Sequence, residues 1–248
     1  MSRVKYLKKE EQQIEPLFNG AFTENKPIGF PNRSGTDAYS NIFYWAHLVA
    51  HETAEFPLHP HEGFEIMTFV FKGAVEHYDT VSKIYTPLKA GDVQAIQAGS
   101  GVSHSERITK GTEMFQIWFD PDFSKTMSQD ATYKDYSADS FHTQSDENKE
   151  TLIYIGNNGS MKSITEGLEI QKTRYKSGKF NEVLNPEFTY SLYLLEGKLE
   201  LDGETLVKDD YYVLQDASSV VYDVKDGAEL FVIKTPTEIK YRRFIERY

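Results

Sequence analysis

The chain contains no cysteine. Disulfide frameworks, thiolate zinc sites and cysteine nucleophiles are therefore excluded, and any bound metal must take nitrogen and oxygen donors. Positive charge is also scarce: 27 Lys and Arg stand against 38 Asp and Glu, a formal net charge of −11. Such a chain repels phosphate backbones and anionic lipid, which argues against direct nucleic-acid binding. The cluster Arg242, Arg243 and Arg247 is interleaved with Glu238 and Glu246 and reads as a solvated face. Long apolar runs are missing too, since no stretch approaches the ~18 residues needed to cross a bilayer, and the N-terminus lacks the apolar core of a signal peptide. A soluble, cytoplasmic protein without a membrane partner is the expectation.

What is present favours strands. The 248 residues suit two domains of about 100–150 each. Tyr and Phe number 16 apiece, a balance that fits pleated, half-buried surfaces better than a helical bundle. Short apolar runs at residues 66–71, 73–77, 84–88, 93–96 and 114–119 are separated by turn residues, which predicts an antiparallel barrel. Residues 124–150 are polar and are expected to hold the domain connection. A second series follows at 152–155, 168–174, 192–195, 198–201, 211–214 and 230–233. Phe71-Lys-Gly73 aligns with Leu195-Glu-Gly197, and Gln97-Ala-Gly-Ser100 with Gln215-Asp-Ala-Ser218, so one pattern is used twice. The predicted architecture is all-β, with one barrel in residues 1–135 and another in residues 136–248.

The strongest chemical signal is His59-Pro-His61, followed further along by His104-Ser-Glu106. The i, i+2 spacing puts both side chains of each pair on one face of a strand, roughly 7 Å apart at their Cα atoms. A lone His-x-His is commonplace on strands. Two matched pairs, brought opposite each other in a barrel, would offer three imidazoles and a carboxylate to a single ion. Glycines in Gln97-Ala-Gly-Ser-Gly-Val-Ser-His-Ser-Glu106 permit a tight turn before the second pair. Glu65 shares apparent strand parity with His59 and His61 and competes as the carboxylate ligand.

Pro57-Leu-His-Pro-His-Glu-Gly-Phe-Glu65 and Ala98-Gly-Ser-Gly-Val-Ser-His-Ser-Glu106 closely resemble the two motifs of the pirin family, which are bicupins. The resemblance runs from the Gly-Phe-Pro at 29–31 to about Phe119 and continues only as a general pattern beyond. It implies two tandem cupin (jelly-roll β-barrel) domains, with a metal in the first held by His59, His61, His104 and Glu106. Under the repeat alignment the second barrel offers Val183, Asn185, Tyr222 and Val224 at those positions, which form no ligand set. The resemblance favours Glu106 over Glu65, which is left as a neighbouring or alternate ligand. It also nominates Gln116, in Phe115-Gln-Ile-Trp118, as a group beside the metal. Glu62 and Ala95 depart from the family, where many members carry arginine and tryptophan.

Three imidazoles and a carboxylate leave positions open on a six-coordinate ion for O2 or substrate. One divalent transition metal is expected, Fe(II) first, with Mn, Co, Ni, Cu and Zn as alternatives. The resemblance implies quercetin 2,3-dioxygenase activity, in which Glu106 accepts the proton of a flavonol hydroxyl and the ring then reacts with O2. Met67, Phe69 and Phe71 are candidates for apolar pocket walls, with core packing as the competing reading for most of them. The alternative implied by the same family is a metal-dependent regulatory protein, a transcription co-regulator or enzyme-binding module with a protein partner. A cupin isomerase acting on sugars ranks behind both.

Overall fold

The structure is a computed structural model describing residues 3–29, 34–243 and 246. Phe30 and Pro31 of the Gly-Phe-Pro run, and Arg247 of the basic cluster, lie outside the described residues. The chain divides into two compact units, one formed by residues 12–140 with 240–248, the other by 1–11 with 141–239. The boundary read from the sequence at 135/136 is thus set beside a division at 140/141, with short terminal segments exchanged. The first strand, Arg3–Leu7, pairs antiparallel with Tyr211–Gln215 rather than with the strands that follow it. Among the described residues no helix is long and apolar enough to cross a membrane.

The unit of residues 12–140 holds two antiparallel sheets. The larger runs Thr132–Tyr136, Val93–Gln97, Glu65–Lys72, Glu113–Phe119, Ile42–Ala50, Phe22–Ile28, Gln13–Leu17. The smaller runs Ala54–His61, Val102–Ile108, Ala74–Asp79, Tyr85–Lys89. Their apolar faces meet: Phe22, Leu48 and Val70 of the larger sheet pack on Val75, Leu88 and Ile108 of the smaller. Each such side chain contributes about 1.5–3 kcal/mol by leaving water, so this cluster holds the sheets as a jelly roll. The polar stretch at 124–150 is not free chain. It includes Thr132–Tyr136, whose alternating burial suits an edge strand laid against Val93–Gln97.

The other unit is one nine-stranded sheet. Two sequence runs, 192–195 and 198–201, fuse into the single strand Phe188–Leu201, which pairs with Ser219–Pro236. Register shifts at Leu194/Glu196 and Gly197/Leu199 let these long strands bend so that the sheet curls around its core. Gly73 and Gly197 both adopt a left-handed φ, +74° and +81°, at aligned positions of the repeat. The all-β expectation of two cupin barrels is borne out. In the second barrel Tyr222 and Val224 are buried in an apolar cluster with Leu192, Leu199 and Leu230, so side chains fill its centre.

Candidate metal centre

Two strands of the smaller sheet bring the motifs together. Ala54–His61 and Val102–Ile108 run antiparallel with His104 opposite His59 and Val102 opposite His61. The i, i+2 geometry therefore points three imidazoles to one place, and their donor atoms all lie within 4.8 Å of one another. Among the described residues this is the one group of three or more candidate donors so placed.

The ring nitrogens are presented for coordination. His59 Nδ1 lies 2.8 Å from the carbonyl of Pro57. A carbonyl can only accept, so Nδ1 carries the proton and Nε2 keeps its lone pair. His61 Nε2 and His104 Nε2 face each other at 3.0 Å. Two nitrogens about 2.1 Å from one ion and roughly at right angles would have about that spacing, so the donor set fits a metal. Burial, aided by the neighbouring imidazoles, lowers the pKa of His61 to about 4 and that of His104 to about 2. Both are neutral at pH 7, the state a metal requires.

Glu106 stands two residues beyond His104 with its side chain buried, outside the group of three close donors. Gln116 Nε2 donates to both of its carboxylate oxygens at 3.0 Å, and Trp118 Nε1 donates to Gln116 Oε1 at 3.0 Å. Burial pushes the Glu106 pKa up to about 7, the charge of Glu24 adds to this, and the Gln116 bonds oppose it. A carboxyl poised there can take or give a proton near neutral pH, and a cation beside it would favour its ionised form.

A cavity of about 310 Å³ opens on His59, His61, Glu106 and Gln116. One wall is aromatic, with Tyr44 and Trp118 stacked at 4.3 Å and 25°. Another is charged and was not anticipated: Lys26, its side chain 2% exposed, lies 2.6 Å from Glu15 and 2.8 Å from Glu24. A second, more open cavity of about 580 Å³ lies beside His61 and is bordered by Glu62 and Phe64.

Met67 and Phe69, and with them Glu65, fall on the other side of the sheet, which corrects the pocket expectation for Met67, Phe69 and Phe71, none of which lines the cavity, and places the alternate ligand Glu65 away from the three imidazoles. In Glu113–Phe119 the cavity-facing residues are Met114, Gln116 and Trp118. Their neighbours in Glu65–Lys72 are Val70, Thr68 and Ile66, whereas Phe69, Met67 and Glu65 pair with Phe115, Ile117 and Phe119. Parity counted from His61 fails because the strand ends there and a new one starts at Glu65 in a different sheet. Gly63 makes the turn at φ +83°, where a Cβ would sit 2.6 Å from the Phe123 ring. Glu65 is fully buried and accepts from Gln97 Nε2 at 3.2 Å, and Phe71 packs edge-on against Phe115.

Comparison with known proteins follows the same division. The Pirin family model matches residues 31–119, which contain both histidine motifs, so the resemblance read from them stands. A Zymomonas mobilis protein provisionally named a quercetin 2,3-dioxygenase is 25% identical over 189 residues, 74% of this chain and 77% of that one. The quercetin 2,3-dioxygenase of Escherichia coli K12 is 42% identical over 71 residues, 27% of this chain and 30% of that one, so the match spans under a third of that relative. The crystal structure of the E. coli bacterial pirin YhhW in complex with nickel(II) superposes with a TM-score of 0.78 at 21% identity, covering 96% of this chain and all of the other.

Proposed function

From a chain whose residues 31–119 match the pirin family, we propose a metal-dependent dioxygenase acting on a flavonol such as quercetin. His59, His61, His104 and Glu106 hold one divalent transition metal, with Fe(II) as the resident ion, and nickel, bound by the related E. coli protein, as a competent substitute. The observation that carries this reading is the convergence of three imidazoles, their donor atoms within 4.8 Å of one another, two of them lining a cavity that also contains a buried carboxylate and an aromatic wall. A metal bound there would supply a Lewis-acidic position at which a hydroxylated substrate and O2 meet.

The chain's own residues do the rest. Glu106 accepts the proton of the substrate hydroxyl in its ionised form, which a cation beside it would favour. Gln116, itself held by Trp118, fixes the carboxylate so that it needs no reorganisation. The stacked Tyr44 and Trp118 offer a flat apolar face to a planar ring system.

The test measures bound metal by elemental analysis, then O2 uptake and loss of the flavonol absorbance band, for iron-loaded protein and the Glu106→Ala variant. Turnover that the variant loses supports the dioxygenase. Stoichiometric metal without O2 consumption moves the reading to a metal-dependent regulatory protein, and absence of metal removes both.

A further inference from the structure

Behind His104 lies a buried chain of acceptors that the proposed reaction does not use. His77 Nε2 is 3.3 Å from His104 Nδ1, while the buried His77 Nδ1 makes no hydrogen bond among the described residues and faces the Asp79 carboxylate, Oδ2 at 3.7 Å, as its nearest charge. His77, Asp79 and His104 are all fully buried. Asp79 is locked by three donors: Oδ1 accepts from the backbone of Val81 at 2.7 Å and Ser82 at 2.6 Å, and Oδ2 from Ser82 Oγ at 2.7 Å. The His77 ring lies flat on Tyr133, 5.0 Å between centroids and 6° between planes. Tyr133 is in turn tied by its hydroxyl to Asp135 and Thr86. Neither the ring plane nor the carboxylate is free to turn.

We infer that His77 and Asp79 are positioning residues that set the tautomer of His104, so that its Nε2 lone pair and not an N–H faces the metal. This rests on the metal-centre reading above. The carboxylate favours a proton on His77 Nδ1, which leaves His77 Nε2 as an acceptor. His104 must then donate from Nδ1, and its Nε2 is left bare toward His61. Every N–H in the row points away from the ion and toward Asp79. A metal-bound imidazole whose far N–H is held in this way is oriented and more basic, and loss of such a partner costs 10–100-fold in affinity.

Asp79→Asn is the sharp test because it preserves shape. The amide oxygen stays with the Val81 and Ser82 amides, which need an acceptor, so the NH2 replaces Oδ2. Facing His77 Nδ1 with N–H in place of a carboxylate charge, it disfavours a proton there, so the His77 proton moves to Nε2 and drives the His104 proton to its own Nε2, where it blocks the metal. Two readouts follow. Long-range 1H–15N spectra of the metal-free protein should show His104 as the Nδ1–H form in the wild type and the Nε2–H form in Asp79→Asn. Titration with cobalt(II) should show ~10–100-fold weaker binding in Asp79→Asn and in His77→Leu. His77→Gln, whose amide oxygen still accepts from His104, should recover most of the loss, and a merely structural role would not produce that recovery. Thermal unfolding of the metal-free variants identifies any that fail to fold, in which case Asp79→Asn carries the test. Wild-type cobalt affinity with an unchanged His104 tautomer in Asp79→Asn would overturn the inference while leaving the metal centre intact. A wild type that binds no cobalt would fell the metal-centre reading, and the nitrogen spectra would then decide the tautomer control alone.

Discussion

The Nε2 atoms of His61 and His104, from strands that approach each other antiparallel, face across 3.0 Å in a buried site. Two neutral imidazoles so arranged must share one proton or one metal ion between them. His61→Ala removes one donor at the edge of the cavity. Its expected effect is at least ~100-fold weaker metal binding with an unfolding midpoint of the metal-free protein close to wild type. Calorimetric titration and circular dichroism read the two quantities. A folded variant that binds metal as the wild type does would remove His61 from the site.

The same burial makes the metal-free protein sensitive to acid. Unfolded histidines titrate near 6.5, whereas His61 and His77 are held down to about 4 and His104 to about 2. Between pH 6.5 and 4 the unfolded chain takes up protons that the folded chain refuses, so stability is full above 6.5 and is lost as pH falls. Glu106 works the other way, because its pKa is raised from 4.5 to about 7 and the folded state gains a proton first. Three imidazoles outweigh one carboxylate. The metal-free midpoint is expected to fall on the order of 5–10 °C from pH 7 to 4, with a shallower fall in His61→Ala. An identical slope in the variant would show that the imidazoles are not the cause.

Gln116 offers a cleaner handle on the carboxylate than Glu106 itself. Its Nε2 donates to both oxygens and opposes the burial that raises the Glu106 pKa. Gln116→Leu removes that donor, so the pKa should rise by about one unit, the worth of a hydrogen bond to a charged group. If Glu106 accepts the substrate proton in its ionised form, the acidic limb of kcat/KM against pH moves up by the same amount. A limb that stays in place would mean another group takes the proton.

Much of the candidate site, above all the meeting of the three histidines, is legible in the sequence for a geometric reason. Strand spacing of two residues guarantees a shared face, so His59-Pro-His61 and His104-Ser-Glu106 announce themselves. The spacing misleads where the strand stops. Counting on from His61 to Glu65, Met67 and Phe69 crosses the turn at Gly63, and the face inverts. His77 carries no such signal: a single histidine between Glu76 and Tyr78 looks like any strand residue, and only the register that sets Glu106 beside it brings it to His104. Lys26 is hidden for the opposite reason. A lysine is read as solvated, and here it is buried because Glu15 and Glu24 pair with each other across two strands and converge on it.

That buried cation makes the last prediction. Lys26 satisfies Glu24, whose side chain is 8% exposed and also accepts from the Tyr44 hydroxyl at 3.2 Å. Lys26→Met keeps the length of the stem but takes the ammonium from between Glu15 and Glu24. Removing one partner of a buried pair typically costs about 3–5 kcal/mol, and the partial exposure of Glu15 puts this site near ~3 kcal/mol. Adding Glu24→Gln to Lys26→Met removes the orphaned charge and should recover most of that loss. Urea unfolding of the wild type, both single variants and the double variant closes the cycle. Strictly additive losses would mean that Lys26 and Glu24 do not depend on each other. A recovered double variant would instead show that Lys26 and Glu24, on the charged wall of the cavity, are held as a unit.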